Sequence, residues 1–590
     1  MRAASHSGLS AALVVLTIAL FVPPALAAGT TMLVSRQSAV DGGAGADGVS
    51  NVASVSADGR YVAFDSTADN LSTADNNNVY NVFVRDLLTN TTILVSRRSA
   101  VDGGAAADGD ADDPSISASG RYVAFYSDAD NLSAVDNNNV ANVFLRDLAT
   151  STTTLVSRQS DADGGVGANA NSVEATVSAD GRFVAFDSDA TNLSAADSDS
   201  AKDVFLRDLA TDTTTLVSRQ SDADGGAGAD GGSIFWSELS VSADGRYVAF
   251  DSDADNLSSV DNNTVWNVFV RDLATSTTTL VSRQSDADGG AGGDANSFEP
   301  SISGDGRHVA FGSDADNLGA ADDDSVTDVF VRDLLANTTT LASRQSETDG
   351  GSGGDGNASG PSLSADGRFV AFGSMADNLS SADDNDVYNV FLRDVMANTT
   401  QLVSRQSDVD GGAGADSESA WPSVSADGRY VAFVSSADNL STADTDGSAD
   451  AFLRDVASPQ LPVSPMEPPP PTPPAATVTP PATPSLTLKP PSSRASAARA
   501  FVLPSANVCL RRGARLRLRY KKPQGMIIDR VEVFVGKKRV LLRTGSKARA
   551  SITLARLPAK TFRLTLKIKP RGSKAATVTR TYRVCQLNRG

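Results

Sequence analysis

The sequence predicts an all-β chain: a seven-bladed β-propeller of four-stranded blades closed by the N-terminal strand, followed by a small C-terminal β-sandwich. Three observations carry this. A turn ending in Gly-Arg recurs at Arg60, Arg121, Arg182, Arg246, Arg307, Arg368 and Arg429, spaced by 61 residues except for one step of 64. A second marker, Phe-Val/Leu-Arg-Asp, begins 23 residues after each of those arginines, from Phe83 to Phe452. Fixed periods of this length belong to repeat architectures. Third, 64 of the 71 acidic residues are Asp, and Gly plus Pro make 72 of 590 residues. That composition suits short strands and many turns and is poor for helices.

The elements follow in order. Residues 1–28 read as an export signal: Arg2, an apolar stretch from Leu9 to Phe21, and Ala25-Leu26-Ala27 as a small-x-small cleavage site. No later run approaches the ~18 apolar residues of a membrane span. Secretion or the cell envelope is therefore the expected location, and a disulfide is chemically permitted there. Residues 29–456 hold the repeat. In its second copy Ser115-Ile116-Ser117 reads as strand A, Tyr122 to Phe125 as B, Asn142 to Arg146 as C and Thr154 to Arg158 as D. The Ala-Asp-Gly between A and B in most copies is a hairpin signal. The D-type sequence Leu33-Val34-Ser35-Arg36 precedes any A strand, while its last expected copy decays to Leu461-Pro462-Val463-Ser464-Pro465. Prolines remove ladder donors. Met32 to Arg36 is thus expected to be the outer strand of blade 7, closing the ring and removing the open sheet edges.

Residues 457–499 form a Pro-rich linker, extended and semi-rigid. Residues 500–590 alternate apolar and polar, as in Phe562-Arg563-Leu564-Thr565-Leu566-Lys567-Ile568, which predicts strands with one apolar face and a basic β-sandwich. This domain has 24 Lys/Arg against Asp529 and Glu532, while the rest of the chain carries a net −42. Cys509 and Cys585 are the only cysteines, and we expect them to be bonded to each other.

The units Ser-x-Ser-Ala-Asp-Gly-Arg-Tyr-Val-Ala-Phe, Val-Phe-Val-Arg-Asp and Leu-Val-Ser-Arg together resemble the TolB-type, WD-like propeller repeat. The resemblance spans residues 30 to about 465. It implies the fold; propellers of this kind host binding, scaffolding and enzyme-accessory roles. The TolB protein itself has six blades behind an N-terminal domain, so no role in its envelope system is implied.

Composition excludes several chemistries. The histidines are His6 and His308, and His308 stands where the other units have Tyr or Phe, so a structural role is expected. Past the signal no other His is available as a general base for a Ser or Cys nucleophile. Zinc sites of His/Cys type lack ligands. The acidic propeller repels phosphates, which argues against nucleic acid as its partner.

Two patterns remain as candidate sites. Between strands B and C each unit carries Asp-x-Asn/Asp-x-x-x-Asn/Asp. All three positions are carboxylates in Asp197/Asp199/Asp203, Asp322/Asp324/Asp328 and Asp444/Asp446/Asp450. Alternating oxygen ligands suit calcium; the same residues also build Asx turns, with no ion involved. The Gly-rich stretch Gly42 to Ser50 resembles a calcium nonapeptide, but its copies are about 61 residues apart and cannot stack as a β-roll. Eight residues before each turn arginine stand Val52, Asp113, Glu174, Glu238, Glu299, Gly360 and Trp421. This register starts the innermost strand. Asp113, Glu174, Glu238 and Glu299, with Trp236 and Trp421 nearby, would give an acidic, aromatic-flanked channel mouth.

The function expected from this reading is a non-catalytic, exported propeller that binds an envelope protein or polysaccharide. Residues 500–590 would contact an anionic cell-wall polymer or lipid headgroups, or dock on the acidic propeller; nucleic acid is least expected there, without Arg/aromatic platforms. The alternative is an extracellular carboxylate-based enzyme acting on carbohydrate. The near-identity of the units favours binding, since catalysis needs an asymmetric constellation.

Overall fold

The computed structural model describes residues 29–456, apart from loop segments 76–78, 135–139, 198–200, 234–237, 261–263, 320–324, 384, 386 and 445–446, together with strand segments between 501 and 582. The export signal, the linker, Cys509 and Cys585 lie outside the described residues, and so do Trp236, Asp199, Asp322, Asp324 and Asp446. The chain divides into two compact units, Met1–Met466 and Glu467–Gly590. Among the described residues no helix is long and apolar enough to cross a membrane.

The first unit repeats a four-stranded antiparallel sheet of the β-propeller kind. In the second copy strand A is Ala111–Ile116, B is Tyr122–Ser127, C is Asn142–Asp147 and D is Thr152–Leu155, paired in that order. Seven such sheets lie between Thr31 and Asp455. The last combines Ser419–Val424, Tyr430–Ser435 and Asp450–Asp455 with the N-terminal strand Thr31–Leu33. Thr31 lies opposite Arg454 and Leu33 opposite Phe452.

Strands B and C run one or two residues longer than expected and D starts two residues earlier; the end of D and the start of A differ for local reasons. Strand D stops at the Leu of Leu-Val-Ser-Arg. The N–H groups of Val156 and Ser157 both reach the Val143 carbonyl, at 2.8 and 3.4 Å, which turns the chain off the ladder. The Ser157 hydroxyl is thereby free of the ladder and accepts the Val143 N–H at 3.0 Å. Strand A begins four residues earlier than Ser115, because a bulge between Asp112 and Ser115 lets it continue past an unpaired residue.

Each sheet is pinned internally and to its neighbour. Strand B Phe stacks on strand C Phe, with ring centroids 5.7 Å apart for Phe64 and Phe83 and 5.9 Å for Phe125 and Phe144. The turn arginine forks onto the Asp that ends strand C: Arg121 Nε and Nη2 donate to Asp147 at 2.8 and 2.7 Å. The same pair recurs in all seven sheets, from Arg60–Asp86 to Arg429–Asp455. The guanidinium also covers the ring that follows it, 4.5 Å from the Tyr61 centroid for Arg60. That ring lies on the turn glycine of the next sheet. Tyr61 packs against Gly120, Tyr122 against Gly181, and Tyr430 of the last sheet against Gly59 of the first. Gly120 has φ +72°, and a Cβ there would fall inside the Tyr61 ring. His308 takes the ring position against Gly367, its Nε2 3.6 Å from Asp333 Oδ2.

The second unit contains a four-stranded antiparallel sheet in the order Lys538–Thr544, Ile528–Val535, Phe562–Pro570, Ala576–Tyr582. A three-stranded sheet joins Phe501–Val502, Leu516–Tyr520 and Ile552–Leu554. Val531, Val533, Leu564, Leu566 and Ile568 are fully buried, so one face of the larger sheet is core.

The glycine seat gives a direct test. Gly120→Ala combines a positive φ with a ring clash and should cost roughly 2–4 kcal/mol. Gly103 also has positive φ but nothing within 4 Å of a Cβ, so Gly103→Ala should cost only about 1–2 kcal/mol. Urea unfolding of both variants checks this. Equal losses would mean that backbone conformation alone matters at Gly120.

Candidate ligand-binding site

The innermost strands of all seven sheets line a central cavity of about 320 Å³. Asp113, Glu174, Glu238 and Trp421 line it, with Pro114, Pro300, Pro361 and Pro422 from the next register. At Asp113, Glu174 and Trp421 this register falls within a strand A bulge. Asp113, Glu174, Glu299 and Trp421 have φ between 47° and 53°, and Gly360 has φ 60°. Left-handed backbone at a non-glycine residue costs of order 1–3 kcal/mol and concentrates at functional positions. Here it recurs at a register whose side chains vary; the same backbone also recurs in the turns after strand C, at Asn90, Ser151, Asp212, Ser276, Asn337 and Asn398.

Two residues further on, hydroxyls stitch the sheets together around the cavity. The Ile116 N–H donates to Ser54 Oγ at 3.2 Å, Val177 to Ser115 at 3.1 Å and Leu363 to Ser301 at 3.0 Å. The Val55 N–H donates to Ser423 Oγ at 3.1 Å, joining the first sheet to the last. The wall is therefore a belt of neutral hydrogen bonds, and the acids stand above it.

The expected arc of four acids is corrected at one member. Glu299 does not line the cavity. It is 7% exposed, and its Oε2 accepts the Gly360 N–H at 2.7 Å, so it belongs to the wall between two sheets. Trp421 is 46% exposed at the rim. The sequence reading also missed a second layer on strand B, where Asp65, Asp187 and Asp251 are buried behind the arc. Their signal was a variable position after the invariant strand B Phe, which reads Asp, Tyr, Asp, Asp, Gly, Gly, Val through the seven units. One cation enters this layer: Lys202 Nζ lies 2.9 Å from Asp187 Oδ2.

Crowded acids resist ionisation. Burial, reinforced by Asp187, pushes the Asp113 carboxyl up to about 6. Burial and then Asp113 raise Asp112 to about 7. Glu174 is raised by burial and then by Asp113 and Asp187, with Lys202 opposing. Glu238 is raised by burial and then by Glu299 and Asp113. The Asp residues under the turn arginines behave oppositely: the Arg182 fork draws Asp208 down to about 2.

The loop carboxylates are placed differently from a cation loop of successive ligands. Asp203, Asp328 and Asp450 are the first residues of their C strands and are buried. Each accepts a hydrogen bond from the serine just past strand D: Asp203 from Ser218 at 2.5 Å, Asp328 from Ser343 and Asp450 from Ser35. Where asparagine holds this position it also donates: Asn81 Nδ2 to Asp75 Oδ1 and Asn389 Nδ2 to Asp383 Oδ1, both at 3.1 Å. Asp197 and Asp444 occupy the place of Asp75 and Asp383 in their own units, and Asp444 is 5% exposed. Among the described residues no group of three or more His, Cys, Asp or Glu is arranged to hold a metal ion.

No protein-family profile matches the chain, and no curated protein matches it. Solved structures do. A protein described as TolB from Agrobacterium tumefaciens aligns at 15% identity over 59% of this chain and 91% of its own, with TM-score 0.31. The Cps50 (Swd1) β-propeller domain of Myceliophteria thermophila aligns at 10% identity over 69% and 97%, with TM-score 0.35. A GH74 xyloglucanase from Xanthomonas campestris aligns at 9% identity over 69% and 52%, with TM-score 0.38. The propeller assignment here rests on the sheet topology and its repeated contacts.

The raised acids fix the sign of a pH effect. A carboxyl whose folded pKa lies above its unfolded value stabilises the fold below about pH 4. That contribution is lost as pH rises through 6 to 7. The melting temperature should therefore rise as pH falls from 7.5 to 5. An Asp113→Asn/Glu174→Gln variant should gain roughly 1–3 kcal/mol at pH 7.5 and show a flatter profile over that range. Calorimetry across this range checks it. A variant profile parallel to wild type would place the titrating groups elsewhere.

Proposed function

We propose that this chain is an exported, non-catalytic, seven-bladed propeller of the cell envelope, closed by its N-terminal strand. It binds a ligand at the central cavity and carries a C-terminal β-sandwich as an attachment module. One observation carries the binding reading: a cavity of about 320 Å³ lined by residues from all seven sheets, with acids on three adjacent sheets at Asp113, Glu174 and Glu238 and none from the rest. A hydroxyl belt and near-identical sheets make the scaffold; the variable register makes the site. Its acids and the rim Trp421 suit a ligand with positive charge or several hydrogen-bond donors, such as a basic peptide segment of an envelope protein or an amino sugar. Capture from an envelope extract by the wild-type chain, but not by Glu174→Gln/Glu238→Gln, is the expected result. Equal capture by both would remove the cavity from the function.

One observation favours the alternative, a carboxylate-based enzyme acting on carbohydrate: Asp113 is pushed up to about 6, which suits a general acid. Glycan turnover by the purified protein, lost on Glu238→Gln, would establish that reading in place of binding.

For the loop carboxylates we propose weak calcium binding in the third, fifth and seventh units. Aspartate there replaces an asparagine that elsewhere supplies an amide donor to a neighbouring carboxylate. The substitution adds a carboxylate oxygen and a negative charge to the loop, which suits a hard divalent ion. Millimolar calcium should raise the melting temperature of wild type more than that of Asp199→Ala/Asp324→Ala/Asp446→Ala. An equal response in both would make these loops turns only.

A further inference from the structure

The alternation that buries one face of the larger C-terminal sheet leaves the other face open, and its composition is one-sided. Leu564, Leu566 and Ile568 are fully buried, so Arg563, Thr565, Lys567 and Lys569 point the other way along the same strand. On the paired strand Val531 and Val533 are buried, which puts Arg530, Glu532 and Phe534 on the open face. Arg539 joins them from the edge strand. Five cations thus share the face with Glu532, which Arg530 and Arg539 already hold at 2.6 and 3.0 Å. Arg563, Lys567 and Lys569 are exposed, and Lys567 Nζ sits 5.1 Å over the Phe534 ring.

The geometry selects the kind of partner. Residues two apart on a strand are spaced by about 6.8 Å, so Lys567 and Lys569 repel each other at close range along a flat surface. A polyanion laid along the strand relieves that repulsion at several points at once. A polyol phosphate carries one charge per short repeat, an extended length close to the two-residue spacing. Threonine hydroxyls lie beside the cations as further donors, with Thr565 and Thr579 3.2 Å apart across the strands. Nucleic acid recognition would call for open aromatic platforms, whereas the one ring here is covered by Lys567. Membrane insertion would call for a row of apolar side chains, whereas this face offers Leu542 at its edge.

We propose that this open face binds a linear polyol-phosphate polymer of the cell wall through Arg563, Lys567 and Lys569, with Arg530, Arg539 and Phe534 forming the floor. This rests on the reading of the C-terminal unit as an envelope attachment module and is independent of the cavity reading, which involves the other unit.

The test uses the full chain and poly(glycerol phosphate) as the probe, followed by anisotropy at several salt concentrations. Binding is expected to weaken steeply with salt. Arg563→Ala/Lys567→Ala/Lys569→Ala should bind about 100-fold more weakly, with the log–log salt slope reduced by about 2, as for three contacts on a flexible chain. Lys567→Arg/Lys569→Arg should bind like wild type. Lys569→Glu alone should weaken binding at least about 10-fold, and it keeps the test valid if the triple variant does not fold. The proposal is overturned by absence of binding, by binding that the triple variant retains, or by tighter binding to polygalacturonate, single-stranded DNA or phosphatidylglycerol vesicles.

Discussion

A ring seated on a glycine is the contact on which the first unit depends. Each turn glycine lacks the side chain that would fill the seat, and each receives the aromatic ring, or in one case His308, of the sheet before it. The ring is roofed by the preceding arginine, and that arginine is held by the aspartate at the end of strand C. Turn, strand B, strand C and the neighbouring sheet are thereby fixed by one chain of contacts. Because Tyr430 fills the seat at Gly59, the series has no free end. The spacing it imposes is what allows a single serine hydroxyl to reach the next sheet's backbone and to wall the cavity.

The same residue type serves opposite purposes at the two ends of a sheet. At the turn end, aspartate meets a guanidinium fork and is held ionised, as in Asp208. At the cavity end, aspartate and glutamate meet one another and burial, and their ionisation is disfavoured, as in Asp113. The first arrangement repeats without variation and stabilises the scaffold. The second occurs in part of the circle, uses strained backbone, and is unfavourable to stability at neutral pH. Uniform stabilising contacts with a local unfavourable cluster are the usual signature of a site carried on a scaffold.

Much of this was legible in the sequence because repetition multiplies weak signals. The Gly-Arg turn, the Phe-Val/Leu-Arg-Asp strand and the displaced Leu33-Val34-Ser35-Arg36 gave the sheets, their order and the pairing of the chain's first strand with the last sheet. The register of Asp113, Glu174 and Glu238 was also readable, since variation stands out against near-identity. Contacts between units were not. Glu299 reads like its neighbours but is drawn into the wall by a backbone N–H 61 residues away. Asp65 and Asp187 sit in a strand whose alternation looks ordinary, and only the adjoining sheet makes them part of the acid layer. The bulge was hidden for the same reason: a register shift belongs to a pair of strands, not to either one.

The pairing of Thr31–Leu33 with the last sheet joins residues 423 positions apart, as in the hydrogen bond from Arg454 to Thr31. This makes the order of events during folding unusual. The first strand to leave a ribosome or a translocation pore has no partner until the final unit arrives. Closing so long a loop costs about 5 kcal/mol in chain entropy before any contact offsets it. Six sheets pair strands that lie near one another in the chain, whereas the seventh needs a long-range pairing, the kind of contact that slows folding. Once made, the same seam must open before the ring can unravel, so the lifetime of the folded protein is governed by a barrier as much as by its equilibrium stability. The seam thus acts as a latch on the ring.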